Sequence, residues 1–237
     1  MLNKKNIFLL LCIPYYATAT IIWNNVMDPG TASALNEDVL IVGDTWLPAE
    51  LININASNRD IKITMLNGPH KVYCTKQDST STTVVLKAVF PWKIEVEVTE
   101  DLTFIGLEGD LATPLVIQER GVSVNDEYPL IQWTVYEHKN LYFGPNDKEN
   151  AGGVNLQIVC DVFYFTPRHI FKINGSPSNP HLFFSRNSSL TYLQETSDTP
   201  LRRCIEFDVS NGQPRSHFTY FKDGSGLFFE SAQIFIP

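Results

Sequence analysis

Apolar side chains along this chain recur with a period of two, not of three or four. In Lys93-Ile94-Glu95-Val96-Glu97-Val98 and in Asp60-Ile61-Lys62-Ile63-Thr64, every second residue is apolar. That spacing puts one apolar face on an extended strand and leaves the other face polar. Windows with apolar residues at i, i+3, i+4 and i+7, the signature of a helix, are almost absent. The chain instead offers a succession of short runs rich in β-branched and aromatic residues. "VLIVG", "ELININA", "DIKITML", "HKVYC", "TTVVLKAVF", "KIEVEV" and "DLTFIG" come first. "PLVIQ", "PLIQWTVY", "NLYFG", "VNLQIVCDVFYF", "HIFKING", "HLFFS", "LTYLQ", "CIEFDV", "HFTYF", "GLFFE" and "AQIFIP" follow. The runs predict an all-β protein of many short strands, built as a solenoid, a sandwich or a barrel.

Turn chemistry punctuates the runs. Asn67-Gly68-Pro69, Asn174-Gly175-Ser176, Asn211-Gly212 and Asp223-Gly224 supply residues that tolerate positive φ. No tract is composed like an interdomain linker, so residues 20–237 are expected to form a single all-β domain. The most loop-like stretch, Gly144 to Gly153, reads as a surface excursion.

One pattern recurs. "EDVLIVG" (Glu37 to Gly43) and "EDLTFIG" (Glu100 to Gly106) share an acidic pair, an apolar core and a terminal glycine, and "CDVFYFTP" (Cys160 to Pro167) is a looser echo. A repeat at this distance fits three coils of roughly 20 residues each or a block of several strands. It is read as architecture: the aspartate starts a turn, the apolar residues enter the core, and the glycine leaves it. If so, Val39–Val42 and Leu102–Ile105 should occupy equivalent places in stacked coils.

This sequence style, Asp-Leu-Thr-Phe-Ile-Gly followed by a turn and a short apolar strand, resembles the coils of right-handed parallel β-helices in the passenger regions of bacterial exported surface proteins. The resemblance covers Asp38 to about Phe165 and carries no functional residues. It implies a parallel β-solenoid, with antiparallel hairpins in the C-terminal third where Asn-Gly and Asp-Gly recur. A β-sandwich is the alternative architecture.

The N-terminus adds an address. Lys4 and Lys5 precede the apolar run Ile7 to Ala17, and Ala17-Thr18-Ala19 offers small residues to a signal peptidase. Residues 1–19 are therefore expected to be a signal peptide cleaved after Ala19. The run is short for a membrane anchor, and Leu11 stands before Cys12 where a lipoprotein signal needs a small residue. Cleavage would remove two lysines and move the net charge from −8 to −10. Such acidity disfavours nucleic acid and anionic membrane surfaces as partners. The expected localisation is secreted or cell-surface.

Candidate chemistry is sparse. Glu95 and Glu97, with Asp101 and Asp110 nearby, form the one carboxylate set suited to acid/base cleavage of a polysaccharide. Asp147, Glu149 and Asn150 offer hard oxygen ligands, but not at the spacing of a calcium loop. His70, His138, His169, His181 and His217 occur singly, and Gly224-Ser225-Gly226 lacks the frame of a nucleophile elbow. Cys74, Cys160 and Cys204 lack metal-ligand spacing and are read as buried thiols, with one disulfide possible in an oxidising compartment. Asn55, Asn174 and Asn187 begin glycosylation acceptor triplets. Aromatic residues crowd the last third and are read as core. No catalytic, cofactor-binding or metal-binding residue is assigned. The expected function is a non-catalytic exported protein with an adhesive or structural role. The alternatives are a sandwich-type module binding a host protein or glycan, and a carbohydrate-active enzyme on a β-helix.

Overall fold

A computed structural model gives the three-dimensional structure. It describes residues 20–28, 36–48, 50–74, 83–106, 113–121, 129–145, 151–160, 168–174, 182–185, 189–194, 201–202, 205–210, 219–222, 226–229 and 232–233, with side chains up to Val159 and at Phe171 and Leu182.

Those residues contain strands and no helix. The chain opens with β1 (Thr20–Val26) and makes a first coil from β2 (Asp38–Trp46) and β3 (Ile52–Ala56). A second coil holds β4 (Ile61–Met65), β5 (His70–Tyr73) and β6 (Val84–Val89), and a third holds β7 (Ile94–Val98), β8 (Leu102–Ile105) and β9 (Thr113–Arg120). The fourth is β10 (Ile131–Val135), β11 (Leu141–Phe143) and β12 (Val154–Cys160), and the fifth β13 (Arg168–Asn174), β14 (Leu182–Ser185) and β15 (Ser189–Gln194). After the short β16 (Leu201–Arg202), the sixth coil has β17 (Ile205–Ser210), β18 (Thr219–Lys222) and β19 (Gly226–Phe229), and β20 (Ala232–Gln233) pairs with β16.

Each strand pairs with its counterpart one coil on, and every pair of strands is parallel. The result is an all-β parallel solenoid with three faces. The first face runs β2, β4, β7, β10, β13, β17, the second β2, β5, β8, β11, β14, β18, and the third β3, β6, β9, β12, β15, β19. The long β2 belongs to both of the first two, because its N-terminal half pairs with β4 and its C-terminal half with β5. β1 lies beside β2 along both halves at the N-terminal end of the stack.

All eighteen runs picked out above fall on strands. β1 and the two-residue β16 escaped notice. The expected antiparallel hairpins in the C-terminal third are corrected: β13–β17, β14–β18, β15–β19 and β16–β20 are all parallel. The strands on either side of the Asn-Gly and Asp-Gly pairs there, such as β13 and β14 or β18 and β19, belong to different faces and do not pair with each other. The one antiparallel contact among the described residues is the isolated bridge Gly106–Gly152.

Alternation builds the core. The inner rows are Val39–Ile63–Val96–Trp133–Phe171 on the first face and Thr45–Val72–Phe104–Phe143 on the second. The third contributes Ile52–Val84–Leu115–Leu156. All are buried. Parallel ladders leave the first N–H of a strand without a partner unless something outside the ladder accepts it. Aspartates do so here. The Oδ1 atoms of Asp38, Asp44, Asp60 and Asp101 accept the backbone N–H of Lys62, Lys71, Lys93 and Asn140, each at 2.8 Å and each one coil on.

These bonds measure the coils at 24, 27, 33 and 39 residues along the chain. Coils of roughly 20 residues are therefore corrected upward, and the heptapeptide spacing spans about two of them. The two copies do not occupy equivalent places. Asp38–Ile41 opens the first face of the first coil, while Leu102–Ile105 is the second face of the third coil. Their local roles do match. Asp38 and Asp101 cap the next coil, and Val39, Ile41, Leu102 and Phe104 are buried. A Cβ on Gly43 would strike the Asn24 side chain, and one on Gly106 would strike the Gly153 carbonyl.

Candidate functional site

Side chains that alternate inward must also alternate outward, so each face carries rows of outward residues at about the 4.8 Å strand spacing. On the second face one such row is apolar. Val26, Trp46, Tyr73 and Ile105 follow one another in register. Their inward neighbours on the strands are Thr45, Val72 and Phe104, all buried in the core. Exposure along the row falls from 74% at Val26 and 37% at Trp46 to zero at Ile105.

Trp46 and Tyr73 stack with ring centroids 4.5 Å apart and planes within 3°. The ring separation nearly equals the strand spacing, so the ring faces look along the solenoid axis. Tyr73 covers one face of the indole. The other face looks toward β1, where the neighbour in register is Val26, itself 74% exposed, and Trp46 keeps 37% of its surface open. A stacked pair of this kind adds about 0.5–1.5 kcal/mol beyond the area it buries.

The adjacent outward row is polar: Asp44, Lys71, Thr103, Tyr142. Asp44 accepts the Lys71 N–H at 2.8 Å. The Tyr142 hydroxyl is held above the ordinary tyrosine range, first by burial and then by the nearby Asp101 carboxylate. At the corner before this face, Lys139 Nζ lies 2.7 Å from Glu100 Oε2, and Asp101 also accepts from the Asn140 side-chain amide at 3.1 Å. Thr103 and Ile105 are buried, so the two rows are open side by side in the first two coils, where Trp46 and Tyr73 stand beside Asp44 and Lys71.

Glu95 and Glu97 point outward from β7 on the first face. Glu97 is paired with Lys62 Nζ at 2.8 Å, and this hydrogen bond is the main reason the Lys62 ammonium titrates above its usual range. Asp101 is not with them, since it caps Asn140 around the corner. The structure therefore splits the carboxylate set and gives two of its members structural partners. Asp110, Asp147, Glu149, Asn150, His181, His217, Ser225, Asn187 and Cys204 lie outside the described residues, as do residues 1–19, the expected signal peptide.

His70 is buried, with Nε2 3.0 Å from the Leu66 carbonyl, and His138 is exposed beside Glu137 at 3.4 Å. Of His169, Asn174 and Cys160 only the strand position is described. Cys74 is a buried free thiol whose pKa burial pushes up to about 12. Asn55 stands on the outward side of β3. Among the described residues, no three His, Cys, Asp or Glu side chains gather into a metal-binding group, and no helix is long and apolar enough to cross a membrane.

Sequence reasoning placed the notable aromatics in the last third. There Phe171 is core, 5.7 Å from Trp133. The outward stack lies in the N-terminal half and went unnoticed. Its one sequence signal is that "DTWLP" and "VYC" place consecutive large or apolar residues on a strand, which forces one of them outward.

A scan against protein-family models gives no match, and neither the curated proteins nor the solved structures contain a similar chain.

Proposed function

We propose that this protein is an exported, non-catalytic β-solenoid that acts by contact, as an adhesive or structural element at a cell surface or after release. The outward Trp46–Tyr73 stack carries this reading. Two large rings are held in register on the outer side of the second face, while Thr45 and Val72 already fill the interior behind them. Trp and Tyr in such settings are the side chains that most often anchor protein contacts. The charged, apolar and small-residue order of Met1 to Ala19 supports export, and the three-faced parallel stack is in keeping with the resemblance to passenger regions of exported surface proteins.

The test has two arms. The full chain is expressed in a bacterial host, fractionated, and its N-terminus sequenced. Recovery outside the cytoplasm with Thr20 as first residue is expected. The purified protein is then applied to arrays of surface proteins and glycans, and to a panel of polysaccharides. Saturable retention without depolymerisation is the expected outcome. Chain cleavage of a polysaccharide that disappears in Glu97→Gln would replace this reading with the enzymatic one.

A further inference from the structure

We infer that the uncovered face of Trp46 receives an arginine side chain from a basic protein partner. The inference rests on the contact reading above and names the occupant of that surface.

Three observations converge on it. The first is shape. Tyr73 and Trp46 form two flat rungs with planes 3° apart, and a third flat group can continue the ladder over Val26. The second is charge. The outward row that carries Trp46 is flanked by Asp44, two residues before it on β2, and by exposed Asp28, two residues beyond Val26. Asp44 shares β2 with Trp46, and Asp28 follows the end of β1 on the side of the indole face turned from Tyr73. Lys71 stands beside Asp44 on the strand that holds Tyr73, so Asp28 is the carboxylate without a lysine in register. The third is the field of the whole chain, with formal charge −8, which draws basic partners in and repels polyanions.

A cation is therefore favoured on the aromatic face, where the ring quadrupole adds to the carboxylate attraction. Among cations, the guanidinium is the flat one. It is weakly hydrated, stacks on indole, and presents paired N–H donors to a carboxylate at its edge. A lysine ammonium is compact and strongly hydrated and cannot form a flat rung. The exposed amides of Asn24 and Asn25 on β1 add hydrogen-bonding capacity at the same border.

The experiment uses the purified full chain and three probes: a capped octapeptide of alternating Gly and Arg, its Gly-Lys counterpart, and neutral oligosaccharides. Binding is followed by tryptophan fluorescence and titration calorimetry at low salt and in 0.5 M NaCl. The Arg peptide is expected to bind several-fold tighter than the Lys peptide and to weaken with salt. Trp46→Ala should lower its affinity about tenfold, and Trp46→Phe less. Asp28→Asn, which breaks none of the hydrogen bonds described in the fold, should lower it about threefold with an unchanged circular dichroism spectrum and melting temperature.

Equal affinity for the Arg and Lys peptides overturns the assignment, as does indifference to both Trp46→Ala and Asp28→Asn. Trp46-dependent binding of a neutral oligosaccharide with silence toward the Arg peptide also overturns it. In that case, or if retention on the array survives Trp46→Ala, the contact reading stands and only the arginine is lost.

Discussion

The first two coils and the fourth are built on the same three faces but filled differently. In the early coils the inner positions are Val39, Ile63, Thr45 and Val72, and in the fourth they are Trp133 and Phe143. The chain path per coil lengthens from 24 to 39 residues over the same interval. The first-face strands do not lengthen, since β4, β7 and β10 all have five residues, whereas the third-face strand grows from five in β3 to eight in β9. The extra residues therefore enter the third face and the stretches between strands, and the coils that are wide in this sense carry larger inner side chains on the first two faces. A parallel stack fixes the faces, leaves the corners free, and requires dense packing at every level.

The largest test of this contrast is at Trp133, which sits within 5.7–6.0 Å of Phe104, Phe143 and Phe171. Trp133→Ala should cost about 3–5 kcal/mol in a urea titration. Val39→Ala, in the narrow coil, should cost about 1–2 kcal/mol because far less volume is removed. A finer variant separates volume from polarity. The indole N–H of Trp133 is buried without a hydrogen-bond partner. Trp133→Phe removes that unsatisfied donor as it shrinks the ring, so its cost should fall well short of the alanine variant. Equal losses at Trp133 and Val39 would mean that the wide coil is not packed as its residues suggest.

Next in size is the pair of heptapeptide glycines. At Gly106 the obstacle is the backbone carbonyl of Gly153, which cannot move without breaking the Gly106–Gly152 and Thr113–Gly153 hydrogen bonds. At Gly43 it is the end of the Asn24 side chain, which can rotate away. Gly106→Ala should cost about 1–3 kcal/mol and Gly43→Ala less than about 1 kcal/mol. Melting temperatures of the two variants decide it, and the reverse order would refute the backbone account.

These two glycines also show how far the sequence could be read. Period-two alternation exposed eighteen strands, because burying one side of a strand leaves that mark on its own residues. It did not expose β1, where Asn24-Asn25 interrupts the pattern and the apolar sequence before Thr20 reads as a signal peptide. Direction and register left less trace. Asn211-Gly212 looks alike in a hairpin and at a solenoid corner. The two heptapeptides match in local role yet lie on different faces, because coils of 24 to 39 residues have no common period to align them. The Trp46–Tyr73 stack was hidden for the same reason. Only the coil length brings Tyr73 over Trp46, and corners of variable length set that.

A smaller effect is expected at the aspartate caps. Asp101 is half-buried and accepts from both the backbone and the side chain of Asn140, whereas the bond from the Lys93 N–H to Asp60 is exposed. Asp101→Ala should cost about 1–2 kcal/mol and Asp60→Ala about half as much. Urea midpoints of the two variants measure the difference, and no difference would show that the corner between the first two faces tolerates an unpaired N–H.

The smallest effect is a pH dependence centred on Tyr142. Tyr142 stands on the polar outer row of the fourth coil, where burial and then the Asp101 carboxylate hold its hydroxyl above the ordinary value of 10.0. The native state thus keeps this proton where the unfolded chain releases it. A raised native pKa contributes stability that is complete below about pH 10 and is lost as the pH climbs through the higher native value. Tyr142→Phe removes the titrating group, so its urea midpoint should fall less between pH 9 and pH 11 than that of the parent. Asp101→Asn removes the secondary cause and keeps burial, so it should leave part of the decline in place. An identical decline in parent and Tyr142→Phe would assign the alkaline loss elsewhere, with Lys62 on the first face the next group to test. Its ammonium titrates above 10.5 through its hydrogen bond to Glu97. That pair loses its attraction when the ammonium deprotonates, so a decline that persists in Tyr142→Phe and is reduced in Lys62→Met would place the alkaline loss on the first face.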